Sequence, residues 1–275
     1  MHRLGLPQGL SRSDTEDVLK SGRAALHGGP SSPGKPETRI SKKFTIQTER
    51  GNLKCTSTEP RQERKENEGV HGVLILVHAA PFGNSDLAPL PDLSHKLSCG
   101  SVRFDLSGCG GSSGEPLANS IDRDAADIHC VVEHLRHEQS VKVLKDRAKG
   151  IAPPTVDGRP APAVLGIVGV GLGGTAALRY ASLHSFPDAL QFIATVSAHA
   201  SHACALHSTL NWGELQTIKD DGEVEVTRPG LPKPLRITQE DYDAKPDLSG
   251  VGQPTTHYLV IHGSKDETLP PTEAR

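Results

Sequence analysis

The chain has 275 residues, enough for one large domain or two small ones, and 35% of them are hydrophobic, so a sizeable core can be buried. Aromatic residues are only 3% and the formal net charge is -3, which excludes the base-stacking, basic footprint of a nucleic-acid binder and a basic face for acidic membranes. The 14 histidines are scattered, and no Cys-x-x-Cys or His-x-x-x-His spacing marks a metal site, so no metal and no cofactor are expected.

Five dispersed cysteines, Cys55, Cys99, Cys109, Cys130 and Cys204, read as reduced thiols of a cytoplasmic protein. No run of about 18 apolar residues exists to span a membrane. The N-terminus mixes Arg3, Arg12 and Arg23 with Asp14, Glu16 and Asp17, and transit peptides are poor in acids.

Residues 1–40 are rich in Gly, Pro, Ser and charge without sustained period, and predict a disordered tail. Phe44–Thr48 alternates as a strand, Gly51-Asn52 is a turn, and Leu53–Thr56 is the hairpin partner. Gly72–His78 is continuously apolar, as in a strand buried on both faces. Ser101–Leu106 is a further strand, running into Gly108, Gly110, Gly111 and Gly114. Ile121, Ala125, Ile128, Val132 and Leu135 share one helical face over 121–136, and residues 137–160 read as a polar insertion. Val164–Val168, Gln191–Val196 and Thr256–Ile261 are three more buried strands. The stretch 200–250 has weak periodicity and reads as a cap-like insertion over the sheet. Strands alternating with helices predict an α/β fold with a mostly parallel sheet, whose ligands sit beyond the carboxyl ends of the strands.

The glycine turn Gly169-Val170-Gly171-Leu172-Gly173-Gly174 fits two chemistries. It matches the dinucleotide fingerprint Gly-x-Gly-x-x-Gly, and it matches the nucleophile elbow Gly-x-Ser-x-Gly with glycine in place of serine. The dinucleotide reading asks for an acidic residue at the end of the next strand, and there the chain has Ser197-Ala198-His199.

Four segments in order carry a resemblance. They are Val77-His78-Ala79-Ala80-Pro81-Phe82-Gly83, Arg103-Phe104-Asp105-Leu106-Ser107-Gly108-Cys109-Gly110-Gly111-Ser112, the turn at Gly171, and Ile261-His262-Gly263-Ser264-Lys265-Asp266-Glu267-Thr268-Leu269-Pro270. From residue 41 to 275 the chain resembles an α/β-hydrolase of the serine-aminopeptidase-like and esterase-like branch. The resemblance implies a three-layer α/β-hydrolase sandwich with a short cap. It places the acid of the triad at Asp266, the nucleophile position at Gly171, and the oxyanion hole at the N–H groups of Ala80 and Leu172. Glycine supplies no hydroxyl, and no histidine follows Asp266, so the resemblance implies a C-terminally truncated, catalytically impaired member or a fragment. Its ligand would be a small ester or peptide-like molecule.

Two alternatives stay open. One is an active serine hydrolase with a displaced nucleophile (Ser112, Ser113, Ser197 or Cys109) and a displaced base (His78, His199 or His262). The other is a dinucleotide- or partner-binding module built on the Gly169–Gly174 turn. The strand ending at Ile261 is expected to be an exposed sheet edge open to self-association.

Overall fold

The computed structural model describes residues 39–59, 72–81, 83–153, 155–156, 159–184, 190–199, 202–228, 231–245, 247–248, 251 and 256–264. The expected tail at 1–40 lies almost entirely outside these residues.

The chain opens with a hairpin, β1 (Ser41–Thr48) and β2 (Gly51–Thr58), paired antiparallel with Ile46 opposite Leu53. Next come β3 (Val73–Val77), α1 (Leu90–Lys96), β4 (Gly100–Phe104) and α2 (Ile121–Ala148). A short ribbon, β5 (Thr155–Val156) with β6 (Arg159–Pro160), leads to β7 (Val164–Val170), α3 (Leu172–Leu183) and β8 (Phe192–Val196). Seven strands form one sheet in the order β1-β2-β4-β3-β7-β8, closed by β11 (His257–Ile261) at its edge. The pairs from β4 through β11 are parallel, and β2 joins β4 antiparallel.

Period-two alternation explains why the central strands look continuously apolar. Ile75 and Val77 of β3 face a core shared with Ala125, Ile128 and Val132 of α2 and Ala176 and Tyr180 of α3. Leu74 and Leu76 face the opposite layer, with Leu90 of α1 and Leu97. Helices on both faces are what a parallel sheet requires. After β3 the chain turns to β4 on one side, and β7 flanks β3 on the other. That reversal opens a crevice at the carboxyl ends of β3 and β7, where ligands of open α/β sheets bind.

Two parts of the sequence reading need correction. Residues 137–160 were expected as a polar insertion, but α2 runs on to Ala148. None of its residues beyond Val132 is buried, so the extension has no apolar face to betray it. Strong helix formers such as Glu138, Gln139, Lys142 and Lys145 hold it in solvent instead. Helix α1 was not expected at all, because it has seven residues and begins among Pro89 and Pro91. Proline is tolerated only in a first turn, and here it sits there.

Regular elements also fill the described part of 200–250, where the sequence shows only weak periodicity. That part holds α4 (His202–Thr209), α5 (Trp212–Asp221), a hairpin of β9 (Glu223–Val226) with β10 (Leu235–Thr238), and α6 (Gln239–Asp243). Asn211 and Glu214 form a capping box at the start of α5, and Gly222 ends it in the left-handed conformation. Leu206, Leu210, Ile218, Val226, Leu235 and Ile237 make a core of its own, sealed by Ala118. The elements are too short for a helical period to show.

Burial on both sheet faces predicts a sharp contrast in urea unfolding. Leu76→Ala should cost about 2–5 kcal/mol, whereas Leu144→Ala, on the 65% exposed end of α2, should change stability by less than about 0.5 kcal/mol. Equal effects at the two positions would contradict this layering.

Candidate active site

The turn after β7 is built by close backbone approach. A β-carbon on Gly173 would lie 2.1 Å from the His78 carbonyl oxygen, and one on Gly169 would lie 2.4 Å from the Gly173 carbonyl oxygen. Only glycine fits at either place, and their reason is packing of α3 against β7 and the end of β3. Between them Gly171 takes φ 56 and ψ -129 before α3 begins. A nucleophile elbow forces its central residue into such a strained turn, so that the side chain stands clear at the strand's end. The Gly171 N–H donates to the Val196 carbonyl at 3.0 Å, tying the turn to the end of β8. Leu172, the first residue of α3, is 2% exposed and packs with Ile121 and Ala205.

On the β3 side, the loop His78-Ala79-Ala80 passes next to the turn. A β-carbon at position 171 would lie 3.1 Å from Ala79 Cβ. The His78 ring is spent on structure: Nε2 accepts from the Leu106 N–H at 3.0 Å, and Nδ1 donates to the Ala79 carbonyl at 3.1 Å. Those partners assign the neutral tautomer, and burial lowers its pKa. His78 therefore holds two loops together and is not placed to act as a base.

The glycine-rich loop after β4 is locked by its own polar groups. Asp105 accepts from the N–H of Ser85 at 2.7 Å and of Gly111 at 2.8 Å. Ser112 Oγ donates to the Asp105 carbonyl at 2.6 Å and accepts from the Lys54 N–H at 2.9 Å. Asp127 of α2, fully buried, accepts from the Ser107 N–H at 2.8 Å and from Arg50 at 2.9 Å. Cys109 donates to the Pro81 carbonyl at 3.4 Å, and burial pushes its thiol up to about 12. Ser113 stands at the β1–β2 turn, where its N–H donates to the Asn52 carbonyl at 2.8 Å. The Ser112 hydroxyl and the Cys109 thiol are thus both engaged with backbone groups of the loop framework. His262 follows β11 at the sheet edge, while Ser197 and His199 follow β8 directly beside the turn.

No family model matches this sequence, and no match was found among curated proteins. Solved structures share its fold. A lidless α/β serine hydrolase from Xanthomonas campestris superposes with a TM-score of 0.51 at 18% identity, over 89% of this chain and 78% of that one. The mouse α/β-hydrolase domain-containing protein 10 gives a TM-score of 0.48 at 18% identity, over 84% of this chain and 81% of that one. The fold is that of the α/β hydrolases.

Gly171 thus sits at the turn from β7 into α3, between the first residue of that helix, Leu172, and the Ala79-Ala80 loop after β3. Asp266 lies outside the described residues. β8 ends in Ser197-Ala198-His199, without the carboxylate that a dinucleotide ribose would need. Two hollows lie elsewhere. One of about 400 Å³ sits in the cap among Trp212, Leu215, Lys219 and Tyr242, and one of about 460 Å³ sits over β1, β2 and the glycine loop. Neither is lined by position 171. Among the described residues no group of three His, Cys, Asp or Glu is arranged to hold a metal, and no helix is long and apolar enough to cross a membrane.

One carboxyl behind the loop predicts a pH response. Asp124 is fully buried, accepts from Ser120 Oγ at 2.7 Å, and burial raises its pKa to about 7. A folded-state pKa above the unfolded 3.8 means its contribution to stability is full below the unfolded pKa and fades as pH rises through 7. Asp124→Asn should therefore gain melting temperature relative to the native chain between pH 5 and pH 8.5. A constant offset across that range would contradict the assignment.

Proposed function

We propose that this chain is a hydrolase-fold protein whose serine-type catalysis is lost at Gly171, and that its crevice takes a small ester or peptide-like ligand. One observation carries the reading: the elbow conformation at Gly171 is intact while the position offers no hydroxyl. The Ser112 hydroxyl and the Cys109 thiol are held in structural bonds, which disfavours either as its substitute. In serine proteases, loss of the nucleophile costs about a million-fold in turnover. The oxyanion hole is backbone and survives such a loss; Ala80 and Leu172 are assigned to it here, with a carbonyl oxygen as its ligand. Asp266 keeps its assignment as the acid of the ancestral triad.

The dinucleotide reading is disfavoured, because the glycines already serve the approach of α3 to β3 and no carboxylate ends β8. A cytoplasmic location belongs to the proposal, supported by the reduced thiols of Cys55, Cys109 and Cys130.

A fluorophosphonate probe at neutral pH tests the reading. The native chain should remain unlabelled under conditions that fully label a serine esterase. Stoichiometric labelling would overturn the proposal.

The sheet edge supports a further prediction. Leu259, Val260 and Ile261 of β11 are 45%, 48% and 45% exposed, and the strand carries no Lys, Arg, Asp or Glu to repel a second copy. Antiparallel pairing of β11 with β11 of another molecule would continue the sheet. Sedimentation velocity should show concentration-dependent dimers, abolished by Val260→Lys; a monomer at all concentrations would refute the pairing.

A further inference from the structure

The segment after β8 bends back over the elbow. Ser197 holds φ 48, a conformation that costs a residue with a side chain free energy and clusters at functional sites. His199, two residues on, is fixed by one hydroxyl. Its N–H donates to Thr175 Oγ1 at 3.1 Å, and its carbonyl accepts from the same group at 2.7 Å. Thr175 is fully buried in the first turn of α3, the helix that starts at the elbow. The backbone of His199 is therefore set by the same turn that sets position 171.

The ring edge points where the missing side chain would stand. A β-carbon on Gly171 would lie 3.5 Å from His199 Nε2 and 3.7 Å from its Cδ2. An oxygen one bond further out comes within hydrogen-bond reach of Nε2. His78, beside the same turn, has both nitrogens in loop-holding bonds.

We propose that His199 is the general base of this site. It takes a proton from a water molecule attacking the carbonyl carbon of a carboxylic ester seated over Gly171, with the carbonyl oxygen directed at the N–H groups of Ala80 and Leu172. The proposal rests on the reading that Gly171 accepts no acyl group. The water oxygen forms the new C–O bond while its proton passes to Nε2. The tetrahedral adduct then expels the alcohol oxygen with the bonding electron pair, and the imidazolium returns the proton to it. Acid and alcohol leave, and no oxidant or cofactor is consumed. One imidazole serves both transfers without a covalent intermediate, so the class is esters with good leaving groups, aryl esters first, and not peptides.

Native chain, His199→Gln, Gly171→Ser and the double variant decide it. Native chain should hydrolyse p-nitrophenyl acetate above the buffer rate, with a rate that rises with pH through one ionisation in the imidazole range. His199→Gln should lower kcat by about 100-fold or more with little change in KM, and should erase that ionisation. Gly171→Ser should become labelled by a fluorophosphonate, and Gly171→Ser with His199→Gln should not. If the 3.1 Å approach of Ala79 Cβ prevents folding of Gly171→Ser, Ala79→Gly is added to relieve it. Native turnover no faster than buffer, or an unchanged rate and pH profile in a His199→Gln chain that melts like native, overturns the assignment of His199 and leaves the loss of serine catalysis standing. Fluorophosphonate labelling of the native chain overturns both.

Discussion

The close approach of the first turn of α3 to the end of β3 governs everything else at this site. A β-carbon at Gly173 would sit 2.1 Å from the His78 carbonyl oxygen, a distance no packing adjustment absorbs without moving backbone. That contact fixes the height of the elbow above the sheet and the position of the loop beside it. The His78 ring then carries the constraint onward by accepting from the Leu106 N–H, at the start of the glycine-rich loop. Asp105, Ser112 and Asp127 carry it from that loop to the β1–β2 hairpin and to α2. Removing any one of these bonds leaves a buried donor or acceptor without a partner, which costs more than a hydrogen bond contributes.

This frame is indifferent to what stands at position 171. Serine in an elbow pays strain for a clear line to the substrate, and glycine adopts the same φ at no such cost. A glycine there offers no hydroxyl and relaxes the turn, while the backbone around it keeps its place. Fold and reactivity are separable at such a turn, because the frame is backbone and a nucleophile is a single side chain.

Much of the fold was legible in the sequence where burial imposed a period. β3 and β7 read as continuous apolar runs, and the first half of α2 read as an amphipathic face. The second half of α2 has no buried residue, so its helicity rests on intrinsic propensity alone and left no pattern. The elements between residues 202 and 243 hid for the opposite reason: their apolar residues are real core, but elements of four to ten residues are too short to show a period.

At the site, the place of Gly171 was readable because turn chemistry is local. The role of His78 was not, since its partners come from Leu106 and from the backbone of its own loop. His199 was one histidine among three candidates in the sequence. Only the bonds from Thr175 and the bend at Ser197 bring it over the elbow.

The central claim is that no acyl group is ever transferred to this protein at the elbow. Stopped-flow mixing of the native chain with p-nitrophenyl acetate tests it most directly. The account predicts release of p-nitrophenol that is linear from the first milliseconds, and a burst equal in amount to the protein, followed by a slower steady rate, would contradict it.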